Sequence, residues 1–595
     1  MSEKSKQIST LGFFNYFKNI VGWHIYGYII LNFLVGLMDG LGLAMFVPLL
    51  SIATGSETNN DSLGKLKILV DFFEKNGIVL NLSTALIIMI SLFVLKGIFF
   101  YIRTIYFTKI RLVAMRKIRV NLLHGLSDIS YEGFTHLDAG RIQNNMINET
   151  SRLVGAMVSY FMSIQHIVML LTYIILAFIS NWQFAIMVGI GGFLTNVFYK
   201  YINKKTKEYS RSRSLVGHDF NGNLIQAINH FKYLKATNAF KTYERKLRNN
   251  IWVSEDIDFN MGKIGAIGES LREPMIIIVI AAVILLQVNV LGGNFGSILV
   301  SLLLFYRALA HLVSMQNSWN SFVGFSASLE SIEHMLSDFK KFEEPKYNDF
   351  INSIEKIEGK NITVSFGNQK VLKGINISIP AKTSVAFVGE SGAGKTTLAN
   401  VLCGLLTPNN GQVLVGDKSI YHSDLSSFRA NVGYITQEPV IFDDTIFNNV
   451  TLWAEKTEEN IAKFWKTIEQ VSMKKFVLDL ENLEDTRLGN NGILISGGQK
   501  QRISIARELY KDVELLVMDE ATSALDSETE RYIKDNIDML HGKFSMIIIA
   551  HRLSTIKNVD TVYLLEEGEI ISSGNFEDLV NKSDRFRKMV ELQEV

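Results

Sequence analysis

The sequence predicts two folds in tandem: a membrane α-helical domain of six transmembrane helices, followed by an α/β domain of the P-loop kind. Three observations carry this. Apolar runs crowd the first 330 residues, several of them as long as the roughly 20 residues a bilayer crossing needs. From about Ile351 the texture changes to short apolar segments separated by turns. Within that second part, "TSVAFVGESGAGKTTLANVL" reads as a strand, a glycine loop and the start of a helix. The bulk numbers agree, since 595 residues exceed one core and 48% of them are hydrophobic. A net charge of +1 gives no support for a nucleic-acid partner, and the lone Cys403 excludes an intrachain disulfide.

The first twenty residues are polar and then amphipathic, unlike a cleavable leader. Phe13, Phe14, Phe17 and Ile20 share one helical face, which predicts an elbow helix over 1–22 lying on the cytoplasmic membrane surface. The membrane domain follows at 23–335, with six candidate spans at 23–53, 84–107, 153–180, 184–201, 274–291 and 297–312. The sixth carries Arg307 and His311, so hydropathy alone does not decide it. Between the first two spans, Leu63, Leu66, Leu69, Val70 and Phe73 form a stripe, either on a short helix resting on the outer membrane surface or on a cap packed against the spans. Basic residues follow the second span (Arg103, Lys109, Arg111, Arg116) and the fourth (Lys200, Lys204, Lys205, Arg211), whereas the turns at 181–183 and 287–295 carry none. Basic loops stay in the cytoplasm. Both termini and the second domain are therefore expected inside the cell membrane, and the long polar loops imply helices that continue into the cytoplasm.

A linker is expected at 336–350 and the α/β domain at 351–595. "GESGAGKTT" fits G-x-x-x-x-G-K-T between a strand and a helix. Gly389, Glu390, Ser391, Gly392, Ala393 and Gly394 would wrap backbone amides around phosphates, with Lys395 on the β/γ oxygens and Thr396, next to Thr397, on Mg²⁺. In "ELLVMDEATSALD" a buried strand ends in Asp519, suited to Mg²⁺, and Glu520, suited to general-base activation of water. Two adjacent carboxylates on a surface loop would mean little; behind an apolar strand in a chain with a P-loop they are expected to act on nucleotide.

The P-loop, Gln437 in "YITQEP", "ISGGQ", "MDEATSALD" and His551 in "IIIAHRLST" together resemble an ATP-binding cassette, in order and spacing over some 240 residues. The resemblance implies that Gln437 senses γ-phosphate and Mg²⁺, that His551 addresses the γ-phosphate, and that Ser523 to Asp526 form a loop between paired cassettes. Phe366 matches the position that stacks on adenine, where a tyrosine is usual. Ser496, Gly497, Gly498 and Gln499 match the signature that heads a helix and acts on the ATP held by the other cassette, electrostatically and without a lysine. One P-loop and one signature per chain then imply two copies sharing two composite sites, with a different half-transporter as the alternative partner. Just before the signature, Asn490 stands where the family usually has glutamate and Ile495 where it has leucine.

Six spans followed by one cassette resemble half of an ABC exporter; within the exporters, the amphipathic outer segment, "ISYEGFTHLDAGRI" after the second span and "LLFYRALAHLVSMQNSW" around the sixth resemble the PglK-type flippases of lipid-linked oligosaccharides. That resemblance implies ATP-driven export or flipping of an amphipathic, membrane-lipid substrate. Arg307 suits a lipid diphosphate, with Arg272 and His311 assisting; an interhelical pair of Arg307 with Asp39 is the structural alternative. Lys96 either snorkels or sits in the cavity. An exporter of hydrophobic peptides or drugs is the competing reading, expected to have an aromatic and acidic cavity. The six spans and the near-neutral charge make a soluble ABC ATPase a remote reading; a cassette-gated channel stays open by sequence, with Glu520 arguing for turnover.

Overall fold

The computed structural model describes residues 10–46, 49, 81–180, 182–271, 273–275, 277–278, 281–282, 285, 295–519, 541–550 and 552–593. It divides into a membrane unit ending at Glu343 and a cassette unit beginning at Glu344, with Ser130–Glu132 grouped with the latter. The striped segment at 61–77, most of the fifth predicted span, Arg272, Glu520, Ser523 to Asp526 and His551 lie outside the described residues.

In the membrane unit, α1 (Thr10–Val21) leads into α2 (His24–Ala44) and α3 (Leu82–Asp128). A short helix and a π-turn, Asn145–Glu149, then introduce α4 (Thr150–Ser180). The remaining long helices are α5 (Trp182–Asn229), α6 (Phe240–Ser270), α7 (Phe295–Phe325) and α8 (Ala327–Lys341). Among the described residues three helices are long and apolar enough to cross a membrane: His24–Ala44, Leu82–Asp128 and Ala139–Phe178. The fourth and sixth predicted spans fall inside the continuous helices α5 and α7. At 47 and 48 residues, α3 and α5 each exceed the bilayer core by about a factor of two, so both run far past it, as their polar halves require. A capping box starts α3, Asn81 Oδ1 accepting from Thr84 N–H at 2.8 Å and Thr84 Oγ1 from Asn81 N–H at 2.9 Å.

The apolar face of α1 is spent on protein: Phe17 is 1% exposed among Tyr28, Tyr160, Phe161 and Phe322, and Phe13 meets Phe322 edge-on at 4.8 Å. A hydrophobic face predicts burial without naming the covering phase. The basic residues after the second span lie on α3 itself, the helical continuation that the long polar loops imply; Arg103 is buried, bonding Asn32 Oδ1 at 3.2 Å and stacking on Phe100 at 4.4 Å. Asp39 is not the partner of Arg307, because Lys96 Nζ reaches Asp39 Oδ1 at 2.5 Å and the Tyr173 hydroxyl donates to its other oxygen.

The short helix before α4, Ala139–Asn144, meets α5 through small and polar residues. A Cβ on Gly140 would stand 2.3 Å from the Cα of Gly222, so only glycine lets these backbones approach. Beside it Asn144 Oδ1 accepts from Asn148 and Asn221 while its amide nitrogen lies 2.9 Å from His218 Nδ1. Burial lowers the His218 pKa, with Glu149 opposing that shift.

The cassette unit carries two sheets. Strands β1 (Lys356–Phe366), β2 (Gln369–Pro380), β3 (Ser384–Val388), β4 (Asn410–Val415), β5 (Lys418–Ser419) and β6 (Val432–Ile435) are followed by β7 (Leu515–Asp519), β8 (Ser545–Ile549), β9 (Thr561–Glu566) and β10 (Glu569–Gly574). The four-stranded sheet runs β2-β1-β4-β5 and the six-stranded one β10-β9-β3-β8-β7-β6. In the larger sheet β9, β3, β8, β7 and β6 are mutually parallel, and β3 and β8 are buried at every position, as continuous apolar strands should be. Three helices matter below: α9 (Lys395–Leu402), α10 (Gly497–Tyr510) and α11 (Asp584–Gln593).

Candidate nucleotide site

Parallel strands deliver their functional residues to one edge, the carboxyl end of the sheet. There β3 gives way to the P-loop, β6 is followed two residues later by Gln437, β7 ends in Asp519, and β8 runs into Ala550, the residue before His551. The order β3-β8-β7-β6 thus gathers motifs separated by up to 160 residues of chain.

The P-loop itself is held open by glycine. Gly389 has φ 151° and a Cβ there would stand 2.1 Å from Leu565 O, so the loop can leave β3 only with glycine in this place. Lys395, 6% exposed at the head of α9, donates from Nζ to the carbonyls of Gly389 and Glu390, each at 2.9 Å. Those bonds hold the ammonium over the loop, where the N–H groups that open α9 also point. Thr396 is exposed on the first turn of α9. Thr396, Asp519 and Gln437 offer only oxygen donors, the set a small hard dication prefers, so the residues fit Mg²⁺. Tyr434 Oη donates to Asn400 Oδ1 at 3.1 Å, and burial, with Asp519 nearby, holds its pKa well above the usual phenol range. Phe366, 53% exposed, closes β1 opposite Gln369, two residues before Val371, whose carbonyl lies against Gly394. An aromatic face therefore stands one hairpin turn from the phosphate loop, where a base could stack.

The signature begins as the N-terminus of α10. Ser496 and Gly497 are exposed and Gly498 partly so. Gln499 caps its own helix: its Oε1 accepts from Ser496 N–H at 2.8 Å, and its own N–H donates to Ser496 Oγ at 3.3 Å. That capping box turns the glutamine back onto its own helix, leaving Ser496 and the glycine amides as the groups that face outward. Ahead of it, Asn490 opens a short 3₁₀ turn in which Asn491 has φ 51° and accepts from Lys500 Nζ at 2.7 Å. The stretch before that turn is stitched to the chain beyond Gln437 by Ile446 N–H to Thr486 O at 3.0 Å and Leu488 N–H to Asp444 O at 3.0 Å.

Motif reading missed one knot. Arg507, on α10, donates from Nε to Asn449 O at 2.7 Å and from Nη2 to Val440 O at 2.8 Å. Asn449, fully buried, bonds Phe442 N–H and the carbonyls of Phe442 and Thr445. The signature helix and the segment after Gln437 are thereby one piece. An arginine inside the helix that follows "ISGGQ" was the available signal.

The family model described as ABC transporter transmembrane region matches residues 25–316, and the one described as ABC transporter matches residues 372–523. Together they take in most of the chain, which belongs to the ABC transporter family. It is a half-transporter of the exporter type, a multi-pass membrane region fused to one ATP-binding cassette, and a transport ATPase. The ATP-dependent lipid A-core flippase of Francisella tularensis subsp. tularensis (strain FSC 198) is 26% identical over 519 residues, covering 84% of this chain and 83% of its own. That of Syntrophus aciditrophicus (strain SB) is 34% identical over 301 residues, 51% and 49% of the two chains. The heterocyst differentiation ATP-binding protein HepA of Nostoc sp. (strain PCC 7120 / SAG 25.82 / UTEX 2576) is 26% identical over 517 residues, 86% and 84% of the chains. A bacterial Atm1-family ABC exporter solved with ATP bound shares the fold, with a TM-score of 0.80 at 21% identity over 97% of this chain and 99% of that one.

Proposed function

We propose that two copies of this chain form an ATP-driven flippase or exporter of an amphipathic lipid with an anionic headgroup, a lipid-linked oligosaccharide or another lipid, in the cell membrane with both termini and the cassettes inside. The observation that carries the reading is a polar cluster inside apolar helices. Arg307 is exposed on α7 and makes no ion pair with another described residue, while His311, one turn on, lies 3.1 Å from His166 and stacks on Tyr173. Tyr173 in turn holds Asp39, which holds Lys96. Ionisable groups within spans are costly and mark substrate or ion pathways, and a guanidinium suits a phosphate diester or diphosphate. Relatives named lipid A-core flippases support a lipid substrate.

In the nucleotide site Phe366 would stack on adenine, and residues 389–397 with Lys395 would hold the phosphates. Bound Mg²⁺, held by Thr396, Asp519 and Gln437, would neutralise charge on the β and γ oxygens. Glu520 would take the proton of the attacking water, and His551 would orient the γ-phosphate. Ser496 of the second copy would complete the site. Glu520→Gln is expected to abolish ATPase activity in liposomes. Polyprenyl-diphosphate glycans or other anionic lipids should stimulate the intact protein and cross the bilayer, and Arg307→Ala should weaken that stimulation. Stimulation by hydrophobic peptides alone would replace the lipid reading with a peptide or drug exporter.

A further inference from the structure

The arginine near the start of the last helix reaches the phosphate loop. α11 is anchored by Phe586, fully buried and edge-on to Phe576 at 5.4 Å, and its N–H donates to Ser583 Oγ at 3.3 Å. That anchor aims the preceding side chain, Arg585, along the surface of the sheet. One nitrogen, Nη1, pairs with Glu566 at the end of β9; the other, Nη2, meets Glu390 Oε1 at 2.8 Å. Topology brings the two carboxylates together, because β9 lies beside β3 with Val388 opposite Leu564, and Gly389 touches Leu565 O.

Glu390 is the only acid in "GESGAGKTT", and its carbonyl accepts from Lys395 Nζ at 2.9 Å. An uncompensated carboxylate there would repel the triphosphate that the loop must receive. Lys395 is committed to the cradle, so a second cation has to answer Glu390. We infer that Arg585 is a positioning residue for ATP: gripped by Glu566, it neutralises Glu390 and makes the C-terminal helix part of the nucleotide site. Side-chain exposures of 45% for Arg585 and 76% for Glu390 make the pair a minor contributor to folding. Its consequence is the local potential at the loop, with Glu566 keeping the planar fork aimed.

The test is steady-state ATPase activity of the full-length protein in liposomes, as KM against kcat. An exposed pair supports roughly a two- to five-fold rise in KM for ATP in Arg585→Ala, with kcat nearly unchanged. The rise should shrink in high salt, where screening weakens the repulsion. Arg585→Lys, which keeps a point charge, should restore most of the affinity. In a Glu390→Gln background, with its own baseline, Arg585→Ala should no longer move KM. An unchanged KM in Arg585→Ala, or an equal rise in the Glu390→Gln background, would overturn the inference. So would a loss confined to kcat and thermal midpoint in both backgrounds, which would mark Arg585 as a packing residue of α11.

Discussion

Arg507 sits in the middle of α10 at 6% exposure and satisfies its guanidinium on the carbonyls of Asn449 and Val440 and on Asn449 Oδ1 at 3.3 Å. Burial pulls its pKa below the ordinary arginine value, and Glu508 opposes the shift. Removing it would strand two backbone acceptors in the interior, each costing about 1–3 kcal/mol. Arg507→Met, which keeps the bulk, should therefore destabilise the cassette by about 3 kcal/mol, read as a lower thermal midpoint of the full-length protein in detergent. An unchanged midpoint would contradict the knot. At this scale the placement of the candidate nucleotide residues was legible, because Lys395 at the head of α9 and Asp519 at the end of β7 follow from spacing and strand context. The partners of polar side chains were not: Asp39 meets Lys96 across 57 residues of chain, and nothing local in the sequence selects that lysine over Arg307.

Elements were legible where two patterns agreed. The run 384–388 is apolar and bounded by a turn and a glycine loop, and it is a fully buried parallel strand. A capping box is likewise readable as serine followed three residues on by glutamine, and Ser496 with Gln499 forms one at the head of α10. Gln499→Ala should loosen the first turn of α10 by about 1 kcal/mol and lower ATPase activity. Gln499→Glu keeps the cap acceptor and should preserve the helix, while the negative charge it adds at the head of α10 should repel the phosphates at longer range and raise KM for ATP. Equal effects of both changes would mean that the side chain acts directly on the nucleotide. For α1, periodicity gave the helix and its apolar face but could not distinguish lipid from the aromatic cluster around Phe17 and Phe322.

On the scale of the whole molecule, the division into membrane helices and a cassette was legible because the two halves differ in every bulk property: run length, periodicity and glycine placement. The composite ATP site proposed above is a feature that no isolated chain can display. Ser496 and Gly497 face outward at the head of α10, while Lys395 sits on the loop that opens α9. In the proposed dimer the signature of one copy closes over the P-loop of the other. Cys403 makes a direct measurement clean, since it is buried and burial pushes its thiol up to about 12, so it stays protonated and silent at neutral pH. Cysteines introduced by Ser391→Cys and Ser496→Cys, in a Glu520→Gln background that retains ATP, should form a disulfide between two copies only when ATP and Mg²⁺ are present. The predicted result is an ATP-dependent crosslinked dimer on a non-reducing gel; monomer alone, or crosslinking indifferent to nucleotide, would contradict it.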